Sequence, residues 1–207
     1  MLRSILLSLA LILPIVPAAA ASATHPIILV FGDSLSAGYG LPSDQAWPSL
    51  LQKRLASKGL QWQVMNASIS GETTSGGRSR IAAALRRHKP AIIVIELGAN
   101  DGLRGLPLAA MRQNLAAMIS DSRNAGARVL LVGMRLPPNL GPAYTGEFAR
   151  SFADLAKSHH TPLVPFLLEG FSDQAEMFQS DGLHPVASAQ PLILETVWPE
   201  LRKMLNK

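Results

Sequence analysis

Five short apolar runs punctuate the chain, at residues 27–31, 63–66, 91–97, 128–132 and 163–166. They are rich in Val, Ile and Leu and too short to be helices, which predicts buried strands of a parallel sheet. Between them the apolar positions recur three and four residues apart, as in Trp47, Leu50, Leu51 and Leu55, or Leu108, Met111, Leu115 and Met118. That spacing lays one apolar stripe along a helix. Strands alternating with amphipathic helices predict an α/β fold, doubly wound, with helices on both faces of the sheet. Ala125-Gly126 reads as the C-terminal stop of the helix before the fourth strand. Pro90 separates the preceding helix from the third strand. The last helical segment, 187–206, contains two prolines. Pro191 fits a first turn, whereas Pro199 should break the helix, so two pieces are expected.

The N-terminal 23 residues have a different pattern: one Arg, an apolar stretch over 5–16, and small residues ending in Ala21-Ser22-Ala23. This is the layout of a cleaved secretory signal peptide of bacterial type, with an apolar stretch too short to span a bilayer. It predicts a periplasmic or secreted protein whose mature part, 24–207, is one domain. No linker, repeat or low-complexity segment divides that part, and its length suffices for a self-sufficient core. With no Cys among the 207 residues, disulfides, a thiol nucleophile, a lipidated Cys and a Cys-based zinc site are all excluded.

A formal charge of +5 raises the question of a polyanionic partner. The basic residues are scattered, apart from Arg78-Ser79-Arg80 and Arg86-Arg87-His88-Lys89, and both clusters fall on a predicted helix as a solvated face. No nucleic-acid partner is expected. Transient contact with a membrane surface stays open, and a monomer is expected.

In doubly wound sheets ligands bind beyond the carboxyl ends of the strands. Three of those loops are small and polar: Gly32-Asp33-Ser34, Ala67-Ser68-Ile69-Ser70-Gly71 and Gly98-Ala99-Asn100-Asp101-Gly102. Ser34 could present a hydroxyl there as a nucleophile, or Asp33 and Ser34 could merely cap a short helix. The stretch Gly32-Asp33-Ser34-Leu35-Ser36 lacks the second glycine of a nucleophile elbow. Serine needs a base, and the base needs an orienting partner. Asp181-Gly182-Leu183-His184 supplies both on one tight turn, a setting that the other four histidines lack. Gly71 and Asn100 are suited to donate hydrogen bonds to an oxyanion.

Together, GDSL at 32–35, NASISGET at 66–73, ELGANDGLRG at 96–105, RLPPN at 135–139 and DGLHP at 181–185 resemble the blocks of the GDSL or SGNH hydrolases. They are similar to the bacterial branch that contains thioesterase I, lysophospholipase L1 and arylesterases. The resemblance implies a three-layer flavodoxin-like fold with five parallel strands in the order 2-1-3-4-5, and no metal or organic cofactor. It implies Ser34 as nucleophile, His184 as base and Asp181 as its orienting carboxylate. The oxyanion hole would comprise the Ser34 and Gly71 N–H groups and the Asn100 side chain. Asp33, Asp101, Gly102, Leu103, Arg135 and Leu136 would help bind substrate, although Arg135 reads equally well as a surface charge at a strand end. Ser36 matches no catalytic position.

The implied activity is hydrolysis of carboxylic esters, and of thioesters, of acyl chains, including lysophospholipids, through an acyl-enzyme. Two rivals are an envelope carbohydrate deacetylase, disfavoured by the scarcity of aromatic residues, and a non-catalytic periplasmic binding module. The stretch 71–78 has the two P-loop glycines, but Gly77 and Arg78 replace the required Lys and Ser/Thr.

Overall fold

The computed structural model describes residues 25–205, so the expected signal peptide lies outside the described residues. The strands are β1 (Ile27–Gly32), β2 (Gln63–Asn66), β3 (Ile92–Glu96), β4 (Arg128–Val132) and β5 (Leu163–Val164). All neighbours pair in parallel, in the order β2-β1-β3-β4-β5. The helices are α1 (Ser34–Ala37), α2 (Trp47–Ser57), α3 (Thr74–His88), α4 (Ala99–Leu103), α5 (Leu108–Asn124), α6 (Pro142–Ser158) and α7 (Gln190–Leu205). Helix α2 packs on α7, and α5 packs on both α3 and α6, so the sheet lies between two helical layers.

Every residue of β3 is buried, as is β1 from Ile28 onward, which explains why these strands read as unbroken apolar runs. The edge strand β2 departs from the expected burial: Gln63 and Asn66 are exposed and the two residues between them half-buried. The helical stripe Leu108, Met111, Leu115 and Met118 is wholly buried. Helix α5 then ends in the paired hydrogen bonds of a left-handed glycine stop, Gly126 N to Arg123 O at 2.9 Å and Ala127 N to Ser122 O at 2.9 Å. Strand β5 is shorter than its apolar run because, after Gly133 N meets Val164 O at 2.8 Å, Leu167 N rather than Phe166 N donates to the Gly133 carbonyl, at 3.0 Å, and the ladder ends.

The expected break at Pro199 does not occur. Only a short 3-10 turn (Ala187–Ala189) precedes α7, which runs unbroken to Leu205. Pro199 and Glu195 both face solvent, where water can serve the Glu195 carbonyl that residue 199 cannot. On the opposite face Val197, Trp198, Leu201 and Met204 stay buried, so packing holds both halves in register. Replacing Pro199 by Ala restores that hydrogen bond without touching the core. It should raise stability by about 1–3 kcal/mol, read as a higher denaturant midpoint.

Candidate active site

The site begins where β1 ends. Gly32 lies against the third strand so closely that a Cβ there would sit 2.6 Å from Glu96 Oε2 and 2.9 Å from the Glu96 carbonyl oxygen. Asp33 then turns the chain and caps α1, its Oδ1 accepting from Leu35 N at 3.0 Å. Ser34 is the first residue of that helix, so its N–H has no partner within the helix. The hydroxyl of Ser34 meets His184 Nε2 at 2.9 Å, across 150 residues of sequence.

His184 is held from several sides. Its Nδ1 lies 2.7 Å from Asp181 Oδ2, while Asp181 Oδ1 accepts from Leu183 N at 2.9 Å and His184 N at 3.0 Å. The hydrogen bonds from the His184 backbone, the His184 ring and the Leu183 backbone hold the Asp181 carboxyl down at about 2. Gly182 adopts a left-handed conformation, φ 67°, that lets the turn close. An antiparallel bridge between Phe178 and Pro185 clamps the base of this loop. Gln179 Nε2 donates to the Tyr39 carbonyl at 2.8 Å, and the Tyr39 ring lies 4.3 Å from the imidazole, centroid to centroid.

Asn100, in the first turn of α4, donates from Nδ2 to Asp33 Oδ2 at 3.1 Å. Arg104 donates to the Gly71 carbonyl at 2.9 Å and reaches Asn100 Oδ1 at 3.5 Å, so one guanidinium spans the second and third loops. Gly71 has φ 77°, and its own N–H takes no partner among the described residues.

Beside Ser34 opens a cavity of about 460 Å³. Its walls are mostly aliphatic and aromatic, with Leu103, Met134, Leu136, Phe166, Leu168 and Phe178 among them. Of the residues expected at the substrate, Asp33, Leu103, Arg135 and Leu136 line this cavity. Arg135 does so while stacked over Phe166 and paired with Glu169 at 3.2 Å, so its charge is already engaged. Asp101 and Gly102 are not brought to the cavity. Asp101 accepts from Thr74 N at 2.8 Å and Thr74 Oγ1 at 2.6 Å, which anchors the start of α3. The Gly102 carbonyl accepts from the Tyr144 hydroxyl at 3.1 Å, and a Cβ at this glycine would lie 2.7 Å from atoms of Leu136 and Phe148.

Ser36 is fully buried, donating to Glu96 Oε2 at 2.7 Å and accepting from Trp47 Nε1 at 3.2 Å. Sequence reasoning missed Glu96, Arg104, Gln179 and Tyr39. Only Glu96 carried a readable signal, a carboxyl closing the run Ile92-Ile93-Val94-Ile95 where only apolar side chains are expected. Burial drives its carboxyl well above the ordinary glutamate range, with the neighbouring Asp33 adding to the effect. Burial likewise pushes Asp33 up to about 6, against the opposing pull of Leu35 N, Asn100 and His184. Among the described residues no cluster of three His, Asp or Glu side chains is arranged to hold a metal ion, and no helix is long and apolar enough to cross a membrane.

This geometry has counterparts. The model of the GDSL-like lipase/acylhydrolase family matches residues 30–190. Esterase TesA of Pseudomonas aeruginosa is 50% identical over 204 residues, covering 99% of this chain and 100% of that protein. Thioesterase 1/protease 1/lysophospholipase L1 of Escherichia coli K12 is 40% identical, covering 89% of this chain and 88% of that protein. Among solved structures, psychrotrophic esterase EstA from Pseudoalteromonas, inhibited by monoethylphosphonate, superposes with a TM-score of 0.83 at 39% identity, over 87% of this chain and 99% of that one. Related in sequence and in structure along nearly all of its described length, the chain belongs to the GDSL-like lipase/acylhydrolase family and is an ester hydrolase.

Proposed function

We propose that this enzyme cleaves carboxylic esters and thioesters of acyl chains, lysophospholipids among them, through an acyl-Ser34 intermediate. The observation that carries the proposal is the continuous relay Ser34–His184–Asp181 at the edge of an apolar cavity. As Ser34 Oγ attacks the acyl carbon, its proton passes to His184 Nε2. Asp181 fixes the ring with Nδ1 protonated and stabilises the imidazolium that forms. The Ser34 and Gly71 N–H groups and Asn100 Nδ2 donate to the oxyanion. Collapse expels the alcohol or thiol, which takes the proton from Nε2. Water then attacks the acyl-enzyme with His184 again as base, releasing the acid and restoring Ser34.

The aliphatic walls suit an acyl chain, whereas the acetyl group of a sugar ester would leave most of them uncovered. A relative named for thioesterase and lysophospholipase activities supports the same substrate class. Exposed Tyr39, Leu103 and Leu183 sit at the rim and suit brief contact with a lipid surface, from which a monomer draws its substrate. The N-terminal charge and apolar pattern supports work in the periplasm or outside the cell.

Three outcomes test this reading, the first two with p-nitrophenyl acyl esters. Ser34→Ala should abolish turnover and labelling by an organophosphonate, while Ser36→Ala remains labelled. An active Ser34→Ala enzyme would refute the assignment. Asp181→Asn keeps an acceptor for Leu183 N and His184 N but turns an amide toward Nδ1, imposing the wrong tautomer. Its kcat should fall by about 10⁴, and a loss under about tenfold would mean that another group orients His184. The same variant reports on stability. With its carboxyl held near 2 against an ordinary 3.8, Asp181 contributes stability that is fully present above its ordinary value and is lost as pH falls through about 2. The denaturant midpoint of the native enzyme should therefore exceed that of Asp181→Asn at neutral pH, and the gap should close toward about pH 2.

A further inference from the structure

Beneath the nucleophile loop two carboxyl groups are wholly buried, Asp33 and Glu96, and no Lys, Arg or His pairs with either among the described residues. Each Asp33 oxygen has a donor: Oδ1 accepts from Leu35 N at 3.0 Å and Oδ2 from Asn100 Nδ2 at 3.1 Å. Glu96 is asymmetric. Its Oε2 accepts from Ser36 Oγ at 2.7 Å and from Asp33 N at 3.4 Å, whereas its Oε1 is buried with no partner.

A buried anionic oxygen without a donor is costly, and two adjacent buried carboxylates cannot both stay ionised. One proton on the pair removes both penalties, and the oxygen lacking a donor is where a hydroxyl relieves most. Placed on Glu96 Oε1, the proton sits on the oxygen that has no donor and removes the charge repulsion between the two neighbouring carboxyls. Asp33 then keeps the charge, and Leu35 N, Asn100 Nδ2 and the more distant His184 favour that anion. Glu72 acts on Asp33 in the opposite sense. Asp33 is the ionisable group that bears on Glu96; Ser36, Trp47 and Gly32 around it are neutral.

We propose that Glu96 is a neutral carboxylic acid in the working enzyme and a positioning residue. By carrying the pair's single proton it keeps Asp33 anionic, and Asp33 in turn holds one hydrogen of the Asn100 amide so that the other points at the oxyanion. The role rests on the reading of Ser34 and Asn100 given above; the protonation of Glu96 stands apart from it.

Carbon-13 labelling of the glutamate carboxyls reads that protonation in the intact enzyme. One resonance should keep the shift of a protonated acid between about pH 5 and 8, and Glu96→Gln should remove it. A spectrum in which every glutamate is ionised at neutral pH overturns the proposal. Kinetics of p-nitrophenyl ester hydrolysis, normalised to sites titrated by an organophosphonate, read the role. Glu96→Gln sets an amide N–H where the acid O–H stands, so kcat should remain within about threefold of native. Glu96→Leu keeps the bulk and removes the donor, and Asp33→Asn opposes a donor to Asn100 Nδ2. Both should lower kcat, by up to the ~10²–10³ lost with an oxyanion donor, and change KM less than about twofold. A Glu96→Gln enzyme that is as impaired as Glu96→Leu, or that fails to fold, overturns the neutral-acid assignment. If the phosphonate does not label Ser34 in the native enzyme, the nucleophile assignment and the positioning role fall together, whatever the carboxyl resonance shows.

Discussion

Parallel pairing of β1 with β3 runs to a last rung, Gly32 opposite Glu96, and that rung decides where two loops leave the sheet. Because residue 32 has no side chain, the first strand can press onto the third. The following residue then turns over the strand end with its N–H on the Glu96 carboxyl. Ser34 and Asn100 emerge side by side from this contact, bridged by Asp33. The Asp181–His184 turn comes from far along the chain and is held by the Phe178–Pro185 bridge and by Gln179, which reaches across to Tyr39. Tyr39 N in turn donates to the Ser34 carbonyl at 3.1 Å, so the serine–imidazole contact is braced from the serine's own segment.

What could be read from the sequence follows from which forces are local. Strands β1, β3 and β4 are long apolar runs because they are buried on both faces, and burial of that kind leaves its mark on composition. The polar loop blocks stood out because small residues after a strand are needed to bring backbone and side-chain donors to the sheet edge. Pro199 was misjudged because the cost of a missing amide depends on which face the freed carbonyl turns to, and that face is set by packing against α2. Asp101 and Gly102 share a block with Asn100, yet on a helical turn neighbouring residues point in different directions. One anchors α3 and the other fits beneath Leu136 and Phe148.

Arg104 and Gln179 were invisible for another reason. Each acts through a carbonyl oxygen, of Gly71 and Tyr39 respectively, and a carbonyl is present at every position whatever the residue. Sequence patterns report side-chain chemistry and burial; long-range bonds to backbone acceptors leave no comparable trace. Glu96 is the intermediate case, since a carboxyl at the end of an apolar strand announces an anomaly without revealing its partner.

The cavity walls have a divided origin. Leu35, Ala99, Asn100 and Leu103 come from the loops after β1 and β3, Met134 and Leu136 from the segment after β4, and Phe166 and Leu168 from the segment after β5 that also carries Asp181 and His184. Among the described residues, 134–136 and 166–168 make no hydrogen bond to Ser34, Asn100 or His184. The wall after β4 is therefore a stretch of chain separate from the Ser34–His184–Asp181 contacts, whereas the wall after β5 shares its segment with Asp181 and His184, so only the first can be recut without disturbing them. A fold built this way can reshape its groove by exchange of the one loop after β4.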